Sequence, residues 1–402
     1  MRLTILQHPT IHLKYGDTTR LQNGHPWIYR GQIKNLDEKL EPGSLVQVRD
    51  HRRRFLGVGY FNPKSIITVR LISFEKEADD EAFFERRIQA AVDLRQKLFP
   101  EYPHYRVINA ESDFLSGLIV DKFRDVLVVQ ISSLGMEQRK RRVFSALKKI
   151  LKPKTIIERN DGTFREVEGM DRFHRVTFGP KVEKMNLNIN GLTFEMNPMS
   201  GHKTGFYLDQ QFNYQKVADL MGKGNVLDCF SFMGGFALHS AKAGAQKVTG
   251  LEQSEAANES ARKNAELNGL TSKCDFQTTN VFDWLKSKTS ATDSSIEEYD
   301  GIILDPPSFT RNKKAVGNAL RGYKEIHLRA LKLLRPGGII ATFSCSHHID
   351  RDLFRSVILD AARDCRVQLR EAAIFQQPAD HPIILGIPET EYLRGFAYQL
   401  IA

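Results

Sequence analysis

The sequence predicts an α/β chain. A doubly wound, Rossmann-like parallel sheet fills residues 190–402, preceded by a small β-barrel over 1–74 and a mixed α+β segment over 75–189. Three observations carry this reading. From about Asn190, strand-like runs alternate with helix-like ones at the spacing of βα units, which demands parallel strands. The first 70 or so residues hold short strands split by Gly and Pro, the pattern of a small barrel. The stretch between them mixes helix with paired strands.

Each element follows from local pattern. Gly43–Asp50 alternates apolar and polar residues, His51-Arg52-Arg53-Arg54 turns, Phe55–Tyr60 returns, and Ile66–Leu71 is a further strand. Gly24-His25-Pro26-Trp27 is a turn carrying one of the two tryptophans. Asp79–Leu98 spaces Phe83, Phe84, Ile88, Ala91, Val92 and Leu94 as a helix does. Leu118–Gln130 reads as strand, tight turn, strand. Met136–Leu151 is a helix with a basic face (Arg139, Lys140, Arg141, Arg142, Lys148, Lys149), and Thr155–Glu158 is a strand. In the C-terminal part the strands are Asn225–Cys229, Lys247–Leu251, Tyr299–Leu304 and Ile339–Ser344. The helices are Phe236–Ala243, Glu255–Leu267 and Tyr323–Leu334, the last stopped by Pro336-Gly337-Gly338.

With 402 residues the chain suits two or three domains. At 41% hydrophobic and 26% charged residues it is globular rather than disordered. The longest run free of Lys, Arg, Asp and Glu is fourteen residues, Pro336 to Ile349, short of the roughly 20 that span a bilayer. No secretory pattern opens the chain, and four cysteines without paired spacing argue against a disulfide scaffold or a zinc knuckle. The expectation is a cytoplasmic protein with reduced thiols, no membrane partner and no metal. A homodimer is one assembly the sequence leaves open. The net charge of +10 is uneven: +7 over 1–74, +3 over 75–190 and zero thereafter. A localised basic excess fits a polyanion-binding module on a neutral body, or an ordinary solvated surface.

The chemistry gathers at expected strand ends, where open α/β sheets bind ligands. The first strand ends in Leu227-Asp228-Cys229 and a loop with adjacent Gly234 and Gly235; the second ends in Gly250-Leu251-Glu252. Glycines let backbone approach a ligand, and Glu252 could accept both hydroxyls of a ribose. Alternatively Asp228 and Glu252 are only helix caps. No G-x-G-x-x-G is present, which disfavours a nicotinamide or flavin cofactor. The strand Tyr299–Leu304 ends in Asp305-Pro306-Pro307-Ser308-Phe309, whose prolines leave carbonyls free to accept from an amino group while Phe309 could stack on a base. A rigid turn with a buried Phe is the bland alternative. Arg311, Lys313 and Lys314 suit phosphate, or a solvated loop.

Together these residues resemble class I S-adenosylmethionine-dependent methyltransferases, and most closely the ribosomal large-subunit methyltransferase I type, which forms 5-methylcytosine in 23S rRNA. The resemblance covers nearly the whole chain. Gly24-His25-Pro26-Trp27-Ile28 is similar to the entry of that family's PUA domain, and Ser116–Lys122 to its central strand-strand-helix-strand-strand domain. Lys203–Gln210 is similar to the segment before its cofactor core, and His381-Pro382 through Gly386–Phe396 to its ending. The resemblance implies S-adenosylmethionine as cofactor. Asp228, Phe230, Gly234 and Gly235 would line its methionine end, Glu252 its ribose, and Asn280, Val281 and Phe282 its adenine, with Tyr207 a further cofactor-binding residue. Asp305 and Pro306 would lie where cofactor and base meet, with Pro307, Ser308, Phe309, Arg311, Lys313 and Lys314 toward the RNA. Asn280 stands where the family usually has Asp, and Gln211 where it has Arg.

Ser344-Cys345-Ser346-His347-His348 follows the strand after Asp-Pro-Pro, so Cys345 would enter the same crevice. Carbon 5 of cytosine is a poor nucleophile; a thiolate adding at carbon 6 makes it a good one. Cys345 is therefore the expected nucleophile, with Asp305 bonded to the ring nitrogen and the histidines orienting the turn. A cysteine at a strand end is otherwise a small buried residue, the reading given to Cys229, Cys274 and Cys365. A related class carries a second Cys after its Asp-Pro-Pro proline for product release; here Pro307 and Ser308 occupy that place. Two other readings stay open: an RNA guanine N-methyltransferase needing no thiol, and a non-catalytic ribosome-assembly factor that binds RNA through residues 1–74.

Overall fold

The computed structural model describes residues 8–16, 18–36, 39–199, 204–290, 298–310 and 313–401. They divide into two compact units. One takes in the chain up to residue 183 together with 197–208 and 379–390; the other takes in 184–196, 209–378 and the chain from 391.

The first unit holds two five-stranded sheets. The N-terminal one runs, in spatial order, Thr10–His12, Leu45–Arg49, Phe55–Phe61, Val69–Ser73 and Trp27–Ile28, all antiparallel except the first pair. Ile11, Val46, Val48, Phe61, Val69 and Leu71 fill its core. The expected strand at Ile66 starts three residues later. Asn62 N donates to Thr68 O and Ser65 N to Asn62 O, so 62–68 closes as a loop and leaves Ile66 70% exposed. The basic turn after Leu45–Arg49 is rigid. Buried Asp50 accepts from Arg52 N, Arg54 N and Arg54 Nε at 2.9, 2.8 and 2.6 Å, and Arg53 takes the left-handed φ of 65°.

The second sheet of this unit orders His104–Asn109, Leu118–Phe123, Val126–Ile131, Thr155–Asn160 and Phe173–Phe178 side by side. Phe123 pairs with Val126, so the expected hairpin turns on Arg124-Asp125 alone, with Arg124 at φ 56°. A helix, Leu134–Leu151, crosses between two parallel strands and buries Met136, Val143, Phe144 and Leu147. It packs with the helix Glu81–Leu98, whose Asp80 caps Phe83 N at 2.9 Å. The basic face of Leu134–Leu151 is largely neutralised: Arg139 meets Asp79, Lys140 meets Glu137 and Lys149 meets Glu85.

Two later segments return to this unit through buried charge. Arg106 grips Asp121 at 2.7 and 2.9 Å, Thr204 donates to the same carboxylate at 2.6 Å, and Arg106 N donates to Asp380. Burial would push the Asp121 carboxyl up, but Arg106 and Thr204 hold it below the ordinary carboxylate range. Arg95 joins Asp113 and the Asp380 carbonyl. Glu389 meets Arg20 at 2.5 Å and His25 at 2.9 Å.

The second unit is built on one seven-stranded sheet: β1 (Asn225–Cys229), β2 (Lys247–Glu252), β3 (Cys274–Thr278), β4 (Tyr299–Leu304), β5 (Leu334–Ser344), β6 (Leu369–Gln376) and β7 (Arg394–Leu400). Its order is β3-β2-β1-β4-β5-β7-β6, with β7 antiparallel to both neighbours and the first five strands parallel. The helices are α1 (Gln211–Leu220), α2 (Gly235–Ala243), α3 (Glu255–Leu267), α4 (Val281–Ser290), α5 (Val316–Leu333) and α6 (Arg351–Cys365). A hairpin, Met185–Ile189 with Leu192–Met196, is tied to α3 by Asn264 and Asn268. This is the doubly wound sheet that the alternation predicts. One detail differs: Pro336-Gly337-Gly338 lies within β5 as a bulge, because Leu334 already pairs with Tyr299 and Ile339 with Gly301. Helix α5 also begins at Val316, a turn and more before Tyr323. No helix among the described residues is long and apolar enough to cross a membrane, and none of their His, Cys, Asp and Glu side chains group as metal ligands.

Candidate functional site

The parallel strands deliver their last residues to one edge of the sheet. At β1, Asp228 and Cys229 lead into a tight loop with three left-handed positions, Phe230 (φ 65°), Phe232 (48°) and Gly234 (81°). A side chain on Gly235 would stand 2.6 Å from the Tyr214 ring, and one on Gly234 would stand 3.0 Å from Phe276. The glycines therefore make room for protein first, and for ligand only through the backbone they bend. The loop is sewn to β2: Ser231 N donates to Leu251 O, and Phe232 N to Glu252 Oε2 at 3.1 Å. Ser254 N takes the other Glu252 oxygen.

Asp228 is fully buried. Its Oδ2 accepts from Ala237 N at 2.9 Å, while Oδ1 has no hydrogen-bond partner, and neither does the nearby Ser231 Oγ. Burial raises its carboxyl well above the ordinary range, and Asp305 and then Glu252 add to the effect. Three carboxylates at three strand tips, one with an orphaned oxygen, suit a ligand bearing positive charge and hydroxyl groups.

Asn280 does not leave its oxygen free. Oδ1 accepts from Phe282 N at 2.9 Å and Asp283 N at 3.3 Å, capping α4. Val281 is buried, and the Phe282 ring stands edge-on to Phe230 at 6.4 Å. Tyr207 belongs to the first unit, whereas the other cofactor residues lie in the second.

At β4, Asp305 N donates to Cys229 O, and its Oδ2 accepts from Gln210 Nε2 at 3.1 Å. Gln210 is oriented in turn by Asn213, which donates to its Oε1 at 2.7 Å and to Gln376 O. Sequence reasoning assigned Gln210 no role; its only signal was the Leu208-Asp209-Gln210 run. Pro306 is buried and Pro307 and Ser308 are exposed. The Phe309 ring already lies against Tyr323 at 4.6 Å and Phe282 at 5.7 Å, so its open face is narrower than the sequence suggested. Arg311 lies outside the described residues; Lys313 opens a short turn through Ala315, and Lys314 is exposed.

At β5, Cys345 follows Ser344 directly and is half-buried between two fully buried serines. Leu304 pairs with Thr342, so Asp305 and Cys345 leave neighbouring strands on the same edge. Both act on the Tyr323 phenol, which burial first, and then Cys345 and Asp305, push up to about 12 against two serine hydrogen bonds. The other thiols are quiet: burial raises Cys229 far and Cys274 to about 12, and raises Cys365 as well. His347 lies 6.1 Å, ring to ring, from Tyr392.

A PUA-like domain family matches residues 11–74, and the S-adenosylmethionine-dependent methyltransferase family matches residues 171–382. A ribosomal RNA large subunit methyltransferase I of Klebsiella pneumoniae is 36% identical over 402 residues, covering 98% of each chain. The chain belongs to the ribosomal RNA large subunit methyltransferase I family of S-adenosylmethionine-dependent methyltransferases. Another relative of that name, from Salmonella schwarzengrund, is 37% identical and covers 99% of each. Among solved structures, a methyltransferase described from Streptococcus mutans superposes with a TM-score of 0.84 at 20% identity over 97% of this chain and all of its own. The methyltransferase SMU.776, complexed with SAH, gives 0.85 at 20% identity with the same coverage. The cofactor of this methyltransferase is S-adenosylmethionine, and the orphaned Asp228 oxygen and the carboxylates around it fit the cationic methionine end of that molecule.

Proposed function

We propose that this methyltransferase forms 5-methylcytosine in 23S ribosomal RNA, with Cys345 as a covalent nucleophile. The observation that carries the reading is that Cys345 and Asp305 follow the ends of adjacent strands, β5 and β4, whose last pair is Leu304 with Thr342. The relatives' name supports the large-subunit RNA, and the cysteine supports a pyrimidine over a guanine amino group, whose direct attack needs no thiol.

Asp228, the Phe230–Gly235 loop and Glu252 would hold the cofactor, with Val281 and Phe282 beside its adenine and Asn280 supplying its amide donors once its oxygen caps α4. When bound, S-adenosylmethionine supplies an electrophilic methyl group. The chain's own residues do the rest. The Cys345 thiolate adds to carbon 6 of the base, and the electron pair displaced from the ring double bond makes carbon 5 nucleophilic. Asp305, fixed by Gln210, hydrogen-bonds the ring nitrogen during this addition. Loss of the carbon 5 proton to a base then restores the double bond and releases the thiolate. Pro306, Pro307, Ser308 and Phe309 would border the extruded base, and Lys313 and Lys314, with Arg311, the phosphates beside it. Residues 1–74 and 75–189 would hold the RNA as a PUA-like and a central domain, ahead of a catalytic domain from 190. The Asp50-held Arg52–Arg54 turn would be one phosphate contact.

The test is methyl transfer from labelled S-adenosylmethionine to unmodified rRNA by wild type and Cys345→Ala, with the product nucleoside identified by mass spectrometry. Labelled 5-methylcytosine that disappears in the variant is the expected result. A methylguanosine that survives the substitution would overturn it.

A further inference from the structure

We infer that Tyr323 is a positioning residue for Cys345: its buried hydroxyl ties Ser344 to Ser346 on either side of Cys345, and Ser346 carries the latch on to Ser308 at the end of the Asp305-Pro306-Pro307-Ser308 loop. This inference rests on the reading of Cys345 as nucleophile. Four hydroxyls form the latch. Ser344 Oγ lies 3.0 Å from Tyr323 Oη, Tyr323 Oη lies 3.2 Å from Ser346 Oγ, and Ser346 Oγ lies 3.0 Å from Ser308 Oγ. The row ends where Ser308 donates to the Thr310 carbonyl at 2.8 Å.

That last bond sets the direction of all the others, because each hydroxyl has one proton. Ser308 spends its proton on the carbonyl, so Ser346 donates to Ser308. Tyr323 then donates to Ser346, and Ser344 donates to Tyr323. Ser344, which donates to Tyr323, accepts in turn from Ser346 N at 3.3 Å. Every hydroxyl in the row is both donor and acceptor, and the order has no alternative while Ser308 faces Thr310.

Tyr323 sits at the middle of this row and on the middle of α5. Its own backbone is tied to β5 as well. His327, one turn on, donates from Nδ1 to the Tyr323 carbonyl, so its Nε2 accepts from Thr342 at 2.8 Å. Burial lowers His327 to about 4, which keeps it neutral and in that tautomer. The nucleophile's two flanking residues are thus held by one phenol, and the strand beneath them by one imidazole. Packing alone would not call for the hydroxyl: the Tyr323 ring lies among Phe309 and Phe354, where a phenylalanine would serve equally. The hydroxyl's two partners are the residues on either side of Cys345, and Ser346 carries the row on to Ser308 beyond Asp305. Fixing both neighbours of Cys345 fixes the direction of its Sγ toward a base presented at Asp305.

The test uses Tyr323→Phe and, in case the buried change disturbs folding, Ser308→Ala at the exposed end of the row. Two readouts are taken on the full-length protein: kcat and KM for methyl transfer to rRNA, and the rate of covalent trapping on RNA carrying 5-fluorocytidine. In trapping, sulfur bonds to carbon 6 and the methyl to carbon 5. Fluorine cannot leave carbon 5 as a cation where a proton could, so the sulfur bond is not released. We expect Tyr323→Phe to lower kcat and the trapping rate together by roughly 10- to 100-fold, with KM for the cofactor within about twofold of wild type. Ser308→Ala, which cuts only the far end, is expected to lower both by a smaller factor in the same ratio. A folded Tyr323→Phe protein that traps at the wild-type rate would overturn the positioning role alone. A wild type that forms no adduct would remove the nucleophile reading and this inference with it.

Discussion

Glu389 offers a pH test with a sign and a size. Trp27 N donates to His25 Nδ1 at 3.1 Å, which leaves Nε2 to donate to Glu389 at 2.9 Å. That bond, with the Arg20 contact, holds the Glu389 carboxyl down at about 2 from an ordinary 4.5, against the opposing effect of burial. A drop of that size is worth about 3.4 kcal/mol at about 1.4 kcal/mol per unit. The Glu389 side chain is 33% exposed and Arg20 is 48% exposed, so solvent screening reduces the value to roughly 1.5–2 kcal/mol. A depressed carboxyl stabilises the folded state above its unfolded pKa and loses that contribution as pH falls toward the folded one. Glu389→Gln is therefore expected to lower the thermal midpoint of the first unit by about 3–7 °C at pH 7 and by less than half of that at pH 3. Circular dichroism melts of wild type and variant at both pH values measure it. An equal gap at both would mean that the charge is not the source, and no gap at pH 7 would mean that the ion pair carries nothing.

Two further outcomes follow from other sites. Asp228→Asn should abolish cofactor binding, measured by calorimetry, yet raise the melting temperature of the free protein at pH 7. Because the carboxyl is raised in the folded state, its ionisation costs stability as pH rises, so the gain should vanish below about pH 4. Replacing Arg52, Arg53 and Arg54 together by Ala should weaken rRNA binding at low salt and flatten the dependence of log affinity on log salt by roughly 0.7–0.9 for each phosphate no longer neutralised; an unchanged slope would put the RNA elsewhere.

The second unit was the more legible in the sequence. Asn225–Cys229, Tyr299–Leu304 and Glu255–Leu267 are observed with the boundaries their patterns predict, because buried parallel strands are apolar runs and amphipathic helices carry their caps. Ile66 misled for the converse reason. An apolar β-branched run looks like a strand until the Asn62–Thr68 loop is seen to exclude it. Pro336-Gly337-Gly338 reads as a helix stop, and only the partner strand shows that pairing has already begun at Leu334. In the candidate site, the positions of Asp228, Glu252, Asp305 and Cys345 at strand ends were legible because strand ends declare themselves. Gln210, Tyr323 and His327 were not, since they act through tertiary hydrogen bonds that leave no local pattern.

The return of segments 197–208 and 379–390 to the first unit sets a clock on its synthesis. Arg106 and Asp121 emerge early, but the carboxylate that takes the Arg106 backbone amide is 274 positions further on, and the partner of His25 is 364 positions on. The sheets of the first unit end at Phe178 and its last segment at Thr390, so at about 5–20 residues per second it stays incomplete for roughly 10–40 seconds after its sheets have been made. Arg95 and Arg106 have Asp113 and Asp121 from the start, but Arg95 Nη2 and the Arg106 amide wait that long for Asp380. The second unit waits a shorter time for β7, the strand that closes β5 to β6, which begins 50 positions after Ser344. A chain cut anywhere between residues 373 and 399 would therefore leave one unit or both unfinished, so both depend on this one stretch for their completion.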